Sequence, residues 1–203
     1  MNIVGSMHQR LVIGRRVRIL SKWFAELIPR NATVLDVGCG SGLVAGCLLA
    51  LRPDLVLEGV DVLVRQQTCI PVRSFDGYTL PYPDGAFETV LFADVLHHTE
   101  DPMVLLREAR RVSRKVIVIK DHEREGIFSG ARLRLMDWVG NARFGVSLPY
   151  NYWNRSRWAQ AWKELELFPE RMERNLNLYP PPFDFVFGAS LHFIARLHAS
   201  NIS

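Results

Sequence analysis

Thr33-Val34-Leu35-Asp36-Val37 runs straight into Gly38-Cys39-Gly40-Ser41-Gly42, and Leu43-Val44-Ala45-Gly46-Cys47-Leu48-Leu49-Ala50-Leu51 follows. The first five residues are β-rich, the next five form a glycine-rich turn, and the last nine are a mostly apolar helix candidate. Glycines let the backbone turn tightly and approach a ligand without Cβ atoms in the way, and the helix that follows offers free N–H donors in its first turn. The spacing and lysine of a GxxxxGK[ST] phosphate loop are absent, as is the usual GxGxxG fingerprint.

Outward from this unit the same rhythm repeats. Arg52-Pro53-Asp54 stops the helix, and residues 55–61 read as a second strand that ends on Asp61. A short helix is expected within 63–69, a third strand over 70–75, and a fourth over Phe87–Phe92. Asp101-Pro102 opens a helix to about Val112, because proline suits a first helical turn. Lys115–Lys120 encloses four consecutive β-branched residues and reads as a central strand. Short strands alternating with helices argue an α/β domain on a largely parallel sheet. In such a sheet Asp61 shares an edge with the glycine turn, where its carboxylate can accept two hydrogen bonds from a ribose diol.

Residues 10–28 have the spacing of an amphipathic helix ended by Pro29. After residue 120 the pattern changes to an irregular aromatic stretch with Trp138, Tyr150, Tyr152, Trp153 and Trp158, then a helix over about 156–165. A strand near Leu167-Phe168 and another over Phe183–Phe193 complete the chain, the latter with Phe185, Phe187, Ala189, Leu191 and Phe193 on one face.

At 203 residues, 48% apolar and 23% charged, the chain is one compact domain and not a disordered segment. It divides into an N-terminal helical cap over 1–30, a cofactor-binding core over 31–120, a substrate cap over 121–165 and a sheet-completing segment over 166–203. A formal charge of +4 is a weak footprint for a nucleic-acid binder. Yet Arg10, Arg15, Arg16, Arg18 and Lys22 all precede the first acidic residue, Glu26, which suits that end to a phosphate-rich or membrane surface. Cys39, Cys47 and Cys69 form no CxxC or ligand cluster, and no run of 18 uncharged apolar residues exists. A soluble, cytoplasmic protein is the expectation.

Val34 to Gly42, the Gly59-Val60-Asp61 strand end, the stretch Asp76-Gly77 to Val90 and the stretch Asp94-Val95-Leu96-His97-His98-Thr99-Glu100-Asp101-Pro102 occur in order. On these the sequence resembles the class I S-adenosylmethionine-dependent methyltransferases, especially the small-molecule branch related to ubiquinone and menaquinone methyltransferases. The resemblance implies a Rossmann-like seven-stranded mixed sheet with helices on both faces and a reversed final strand, with S-adenosyl-L-methionine across its carboxyl edge. It implies that Gly38, Cys39 and Gly40, flanked by Asp36 and Gly42, approach the amino-acid part of the cofactor through backbone. Asp61, with Val62 beside it, would hold the ribose, Asp76 and Gly77 would lie by the adenine, and Ala93 and Asp94 would border the sulfonium. Glu88 departs from the pattern, standing where aspartate is common.

The acceptor implied is a small molecule such as a quinone, another phenol, a lipid or a secondary metabolite. His98 and His122 are the candidate general bases, since histidine titrates nearest physiological pH and both follow sheet strands. The aromatic stretch, with Asp137, Asn141 and Asn151 as polar contacts and Tyr150 and Trp153 as apolar ones, is expected to cap that acceptor. Asp121-His122-Glu123 lacks the spacing of a metal set, so no metal is expected. The rival readings are a cofactor-binding protein without catalysis and an RNA methyltransferase using Arg10–Lys22 and Arg107–Lys120.

Overall fold

The computed structural model describes residues 3–126, 128–134, 150–181, 183–188 and 191–199. Strands β1 (Thr33–Val37), β2 (Val56–Asp61), β3 (Val72–Ser74), β4 (Phe87–Ala93), β5 (Ser113–His122), β6 (Leu167–Glu173) and β7 (His192–Ala199) form one sheet in the order β3-β2-β1-β4-β5-β7-β6. The first five are parallel, and β7 enters antiparallel between β5 and β6. This is the seven-stranded mixed sheet with a reversed final strand.

The strand side chains divide into two cores. Val34, Leu57, Leu91, Val118 and Ile194 face helices α1 (Ile3–Leu27) and α2 (Leu43–Leu51), together with Leu20, Phe24, Leu27, Ala45 and Leu48. Leu35, Val37, Val90, Phe92, Ile117 and Ile119 face α3 (Pro102–Val112) and α4 (Arg155–Glu164). Strands buried on both faces read as unbroken apolar runs, which is why β5 was the plainest strand in the sequence. Helix α3 starts where Asp101 accepts the Met103 N–H at 3.0 Å with Pro102 in the first turn, and Arg110 and Arg111 in its last turn complement the helix dipole.

Three sequence expectations are corrected. Residues 63–69 form no helix: Cys69 N–H donates to Ser41 O at 2.8 Å and Ile70 is buried against the glycine turn, so the segment is laid over that turn and α2. Strand β5 continues to His122, paired with His192 of β7, so Asp121 and His122 belong to the sheet and not to a loop. The last strand begins at His192, and a helical turn over Asp184–Gly188 occupies five of the eleven residues read as strand. Glu88 sits at the opposite edge, where its carboxylate takes the Thr33 N–H at 3.2 Å and Lys115 at 2.6 Å.

Candidate active site

The glycine turn leaves β1 with Gly38, Gly40 and Gly42 all at positive φ (69°, 59° and 70°), a region that disfavours residues with a Cβ. Their spatial needs differ. A Cβ on Gly38 would lie 2.7 Å from the Val95 side chain, and one on Gly42 would lie 2.5 Å from Ile70, so these two glycines permit close packing. A Cβ on Gly40 would meet nothing within 4 Å, so the backbone there borders an open cradle. Burial, with Asp36 and Asp61 nearby, pushes the Cys39 thiol up, which leaves its backbone as the part suited to a ligand.

Both β2 and β3 end beside this turn. Asp61 Oδ2 accepts the Gly40 N–H at 2.7 Å and Oδ1 accepts the Leu63 N–H at 2.9 Å. A carboxylate has about four acceptor positions, so about two remain for a diol. Asp76 accepts the Tyr78 and Thr79 N–H groups through Oδ1 alone, bonds that hold its carboxyl below its usual range, with Thr79 the larger cause. Val62 is exposed and would stand 3.2 Å from a Cβ on Gly77, so the two stretches meet at a narrow slot.

Asp36 is 2% exposed and its Oδ1 has no hydrogen-bond partner among the described residues. Burial first, and the Asp61 charge second, push it up to about 7. An orphaned carboxylate oxygen beside an open backbone cradle fits the ammonium and carboxylate ends of an amino acid, and the Asp61 and Asp76 carboxylates fit a nucleoside. The residues present therefore suit S-adenosylmethionine.

Gly40→Val tests the cradle. The branched side chain occupies the open space at a φ of +59°, so cofactor affinity is expected to fall at least tenfold by calorimetry while the thermal transition of the protein persists.

Beyond β4 and β5 the same edge holds a buried polar cluster. Lys120, Asp121, His122 and Glu123 are at most 5% exposed, four consecutive polar residues inside the protein. Asp121 is its centre: Oδ2 accepts the Leu96 N–H at 2.9 Å, Oδ1 accepts the His122 N–H at 2.7 Å, and His97 Nδ1 lies 2.5 Å from Oδ1. Burial opposes its charge, but His97 and His122 hold the carboxyl far below its usual range. His122 Nδ1 stands 3.3 Å from His97 Nδ1, and burial lowers its pKa with His97 and Lys120 adding to the effect, which favours the neutral ring. Tyr152 stacks on His97 at 5.4 Å between centroids and meets His122 edge-on at 5.8 Å.

Asp94, at φ 61° just past β4, is shared by Arg16 and Lys120. Burial alone would raise its carboxyl, but those two cations hold it well below the usual range. Lys120 also lies 3.1 Å from His192 Nδ1. A cavity of about 90 Å³ lies between α1 and this strand end, lined by Arg16, Val17, Leu20, Val44, Ala93 and Asp94. Arg16, read from the sequence as part of a surface-facing basic end, instead ties α1 to the site.

Every sequence-derived cofactor residue thus falls on the carboxyl edge. His97, Lys120 and His192 were missed as site residues, because their burial and pairing arise from strands distant in the chain; the polar run directly after four β-branched residues was the available signal. His98 is half-buried with its ring 4.0 Å from that of His97. Glu123 turns away, paired with Arg174 at 2.8 Å and Arg155 at 3.3 Å, so Asp121, His122 and Glu123 do not converge on one point.

Of the aromatic stretch, Asp137, Trp138 and Asn141 lie outside the described residues. Asn151 ties the segment to the site, its N–H donating to His97 O at 3.1 Å and its side chain to Glu100 O at 2.9 Å. Trp153 is corrected from acceptor contact to core: it is 8% exposed and meets Trp158 at 4.9 Å in the cluster under α3 and α4.

Residues 35–116 match the methyltransferase domain family. The chain is 30% identical over 110 residues to the 27-O-demethylrifamycin SV methyltransferase of Amycolatopsis mediterranei, covering 47% of this chain and 40% of that one. It is 25% identical over 176 residues to the 2-methyl-6-phytyl-1,4-hydroquinone methyltransferase of Synechocystis sp., covering 77% and 50%. The chain therefore spans at most half the length of either curated relative. A SAM-dependent methyltransferase structure from Aquifex aeolicus superposes with a TM-score of 0.62 at 15% identity, covering 95% of this chain and 97% of that one. The fold, the glycine turn and the match over residues 35–116 agree: that segment is similar to a methyltransferase domain.

Proposed function

We propose that this protein transfers a methyl group from S-adenosylmethionine to a small, partly apolar or aromatic acceptor such as a quinol, another phenol, a lipid or a secondary metabolite. The observation that carries the reading is the union, on one sheet edge, of an amino-acid and nucleoside cradle with a buried histidine set fixed by Asp121. Two relatives whose names specify small hydroxylated acceptors support it.

When bound, S-adenosylmethionine supplies a methyl group activated on a sulfonium. Gly38, Cys39 and Gly40 would hold the amino-acid end by backbone, Asp36 would take the ammonium, Asp61 the ribose hydroxyls, and Asp76 and Gly77 the adenine, with Gly42 and Val62 shaping the slot. Ala93 and Asp94 would border the methyl. Methyl transfer needs alignment and exclusion of water more than a protein nucleophile. An acceptor hydroxyl must also lose a proton, and the His97–His122 pair receives it while Asp121 orients His97 and stabilises the added charge. His98 borders the acceptor beside them.

Asp36 gives this reading a pH signature. With its pKa near 7 in the free protein, ionisation for an ammonium partner is complete only above that pH. Cofactor affinity is expected to rise about tenfold per pH unit as pH climbs towards 7 and to level off above it, with up to one proton released per molecule bound below 7. Calorimetry in buffers of different ionisation enthalpy reads both. Asp36→Asn should flatten the profile.

The activity itself is tested by incubating the protein with trideuteromethyl-labelled cofactor and separate metabolite, lipid and RNA fractions, then resolving products by mass. Labelled small molecules support the reading. Label in RNA alone would move the protein to the RNA-modifying rival, and cofactor binding with no labelled product would favour a binding protein without catalysis.

A further inference from the structure

Seven of the ten large apolar side chains exposed among the described residues lie at or beyond strand ends on the carboxyl edge, Leu43 directly after the glycine turn among them. Val62, Leu63 and Val64 follow β2, Tyr78 follows β3, Phe128 follows β5, and Phe183 precedes β7, whose first residue pairs with the last of β5. Leu63 is 52% and Phe128 77% exposed, and Phe128 stands at φ 62°, a conformation rare for a bulky residue. All of these residues lie on the strand-end side of the sheet that carries the candidate site.

Helix α1 adds charge to the same edge. Its last turn lies at the opposite edge, where Arg52 donates to Ala25, Ile28 and Pro29 carbonyls, while Arg16 reaches Asp94 past the end of β4. The helix therefore runs along the sheet with its amino end at the mouth. From Arg16 back to Ile3 it continues for about 20 Å at a rise of about 1.5 Å per residue, beyond the sheet edge. That overhang and the turns after it contain no acidic residue before Glu26. Arg18 bonds only the Gly14 carbonyl and Arg15 only the Asn177 carbonyl, so neither meets a carboxylate among the described residues.

We propose that the carboxyl edge docks on an anionic lipid bilayer, the basic stretch of α1 that holds Arg15 and Arg18 lying in the headgroup layer and the apolar loop residues entering the acyl boundary. An acid-free basic helix beside an apolar rim is the chemistry that an interface of this kind recognises, charge supplying attraction and apolar area supplying depth. The consequence that an apolar acceptor enters the site from the bilayer rests on the methyl-transfer reading; the docking does not. No helix among the described residues is long and apolar enough to cross a membrane.

Flotation of the full chain, without cofactor or acceptor, tests docking separately from catalysis. Binding is expected to vesicles of phosphatidylcholine mixed with phosphatidylglycerol and not to phosphatidylcholine alone, and to weaken with rising salt. Leu63→Ser combined with Phe128→Asn, where asparagine suits the positive φ, should weaken binding about tenfold. Arg15→Glu combined with Arg18→Glu should do the same, with the thermal transition as the control for folding. Absence of binding to the anionic vesicles would overturn the proposal, as would binding that neither pair of substitutions alters. A concentration-dependent dimer abolished by the loop pair, with no vesicle binding, would assign the rim to a second copy of the chain instead.

Discussion

Asp121→Asn is expected to lower methyl transfer by a factor on the order of 10² to 10⁴ while S-adenosylmethionine binding stays within a few-fold of the parent. The carboxylate does two things that an amide cannot do together. It takes the His97 ring at 2.5 Å, and it accepts backbone N–H groups from Leu96 and His122 at 2.9 and 2.7 Å. Asparagine keeps one acceptor oxygen and turns an N–H₂ toward a donor. The histidine pair then loses both its orientation and the charge that stabilises a proton on it.

Some folding stability goes as well, roughly 1–3 kcal/mol for the unsatisfied donors. Because Asp121 is held far below its unfolded value near 3.8, its contribution in the parent is present above that pH and lost as acid protonates the folded protein. The variant should therefore show a shallower loss of stability below about pH 4. Single-turnover transfer measured beside calorimetry separates the two effects, and transfer equal to the parent in a folded variant would remove Asp121 from the mechanism.

The second large effect falls on stability. Trp153→Ala should cost about 3–5 kcal/mol, the range for emptying a large aromatic site in a core. Its ring packs on Trp158 at 4.9 Å, and the Arg157 guanidinium covers it at 4.7 Å. In the folded fraction, acceptor affinity should stay near that of the parent. Denaturant unfolding and acceptor binding at matched folded fractions read the two separately; intact stability with lost acceptor affinity would return Trp153 to the cap.

Why the sequence announced one half of this site and concealed the other follows from the range of the interactions. The turn after β1 is built from contiguous residues and Asp61 is placed by the strand it ends, so spacing alone put those two on one sheet edge, while Asp76 was reached only through the family resemblance. Asp121 and His122 looked like loop residues because nothing local says that β7 returns to pair with them. Lys120 gave no sign of burial, since its partners Asp94 and His192 lie on other strands. A short helix was expected within residues 63–69, yet the contacts of Cys69 with Ser41 and of Ile70 with the glycine turn outweighed any local preference for it. Trp153 was aromatic in an aromatic run, and only packing separates a ring that lines a pocket from one that fills a core.

The most direct test of the cofactor site is calorimetry of S-adenosylmethionine and its demethylated product, S-adenosylhomocysteine, with the parent protein and with Asp61→Asn. Both nucleosides should bind the parent with dissociation constants on the order of micromolar. The substitution should weaken both by roughly 10- to 100-fold, the worth of hydrogen bonds to a charged acceptor, while the fold persists. Folded parent protein that binds neither nucleoside, or an Asp61→Asn variant that binds both as tightly as the parent, would contradict the account.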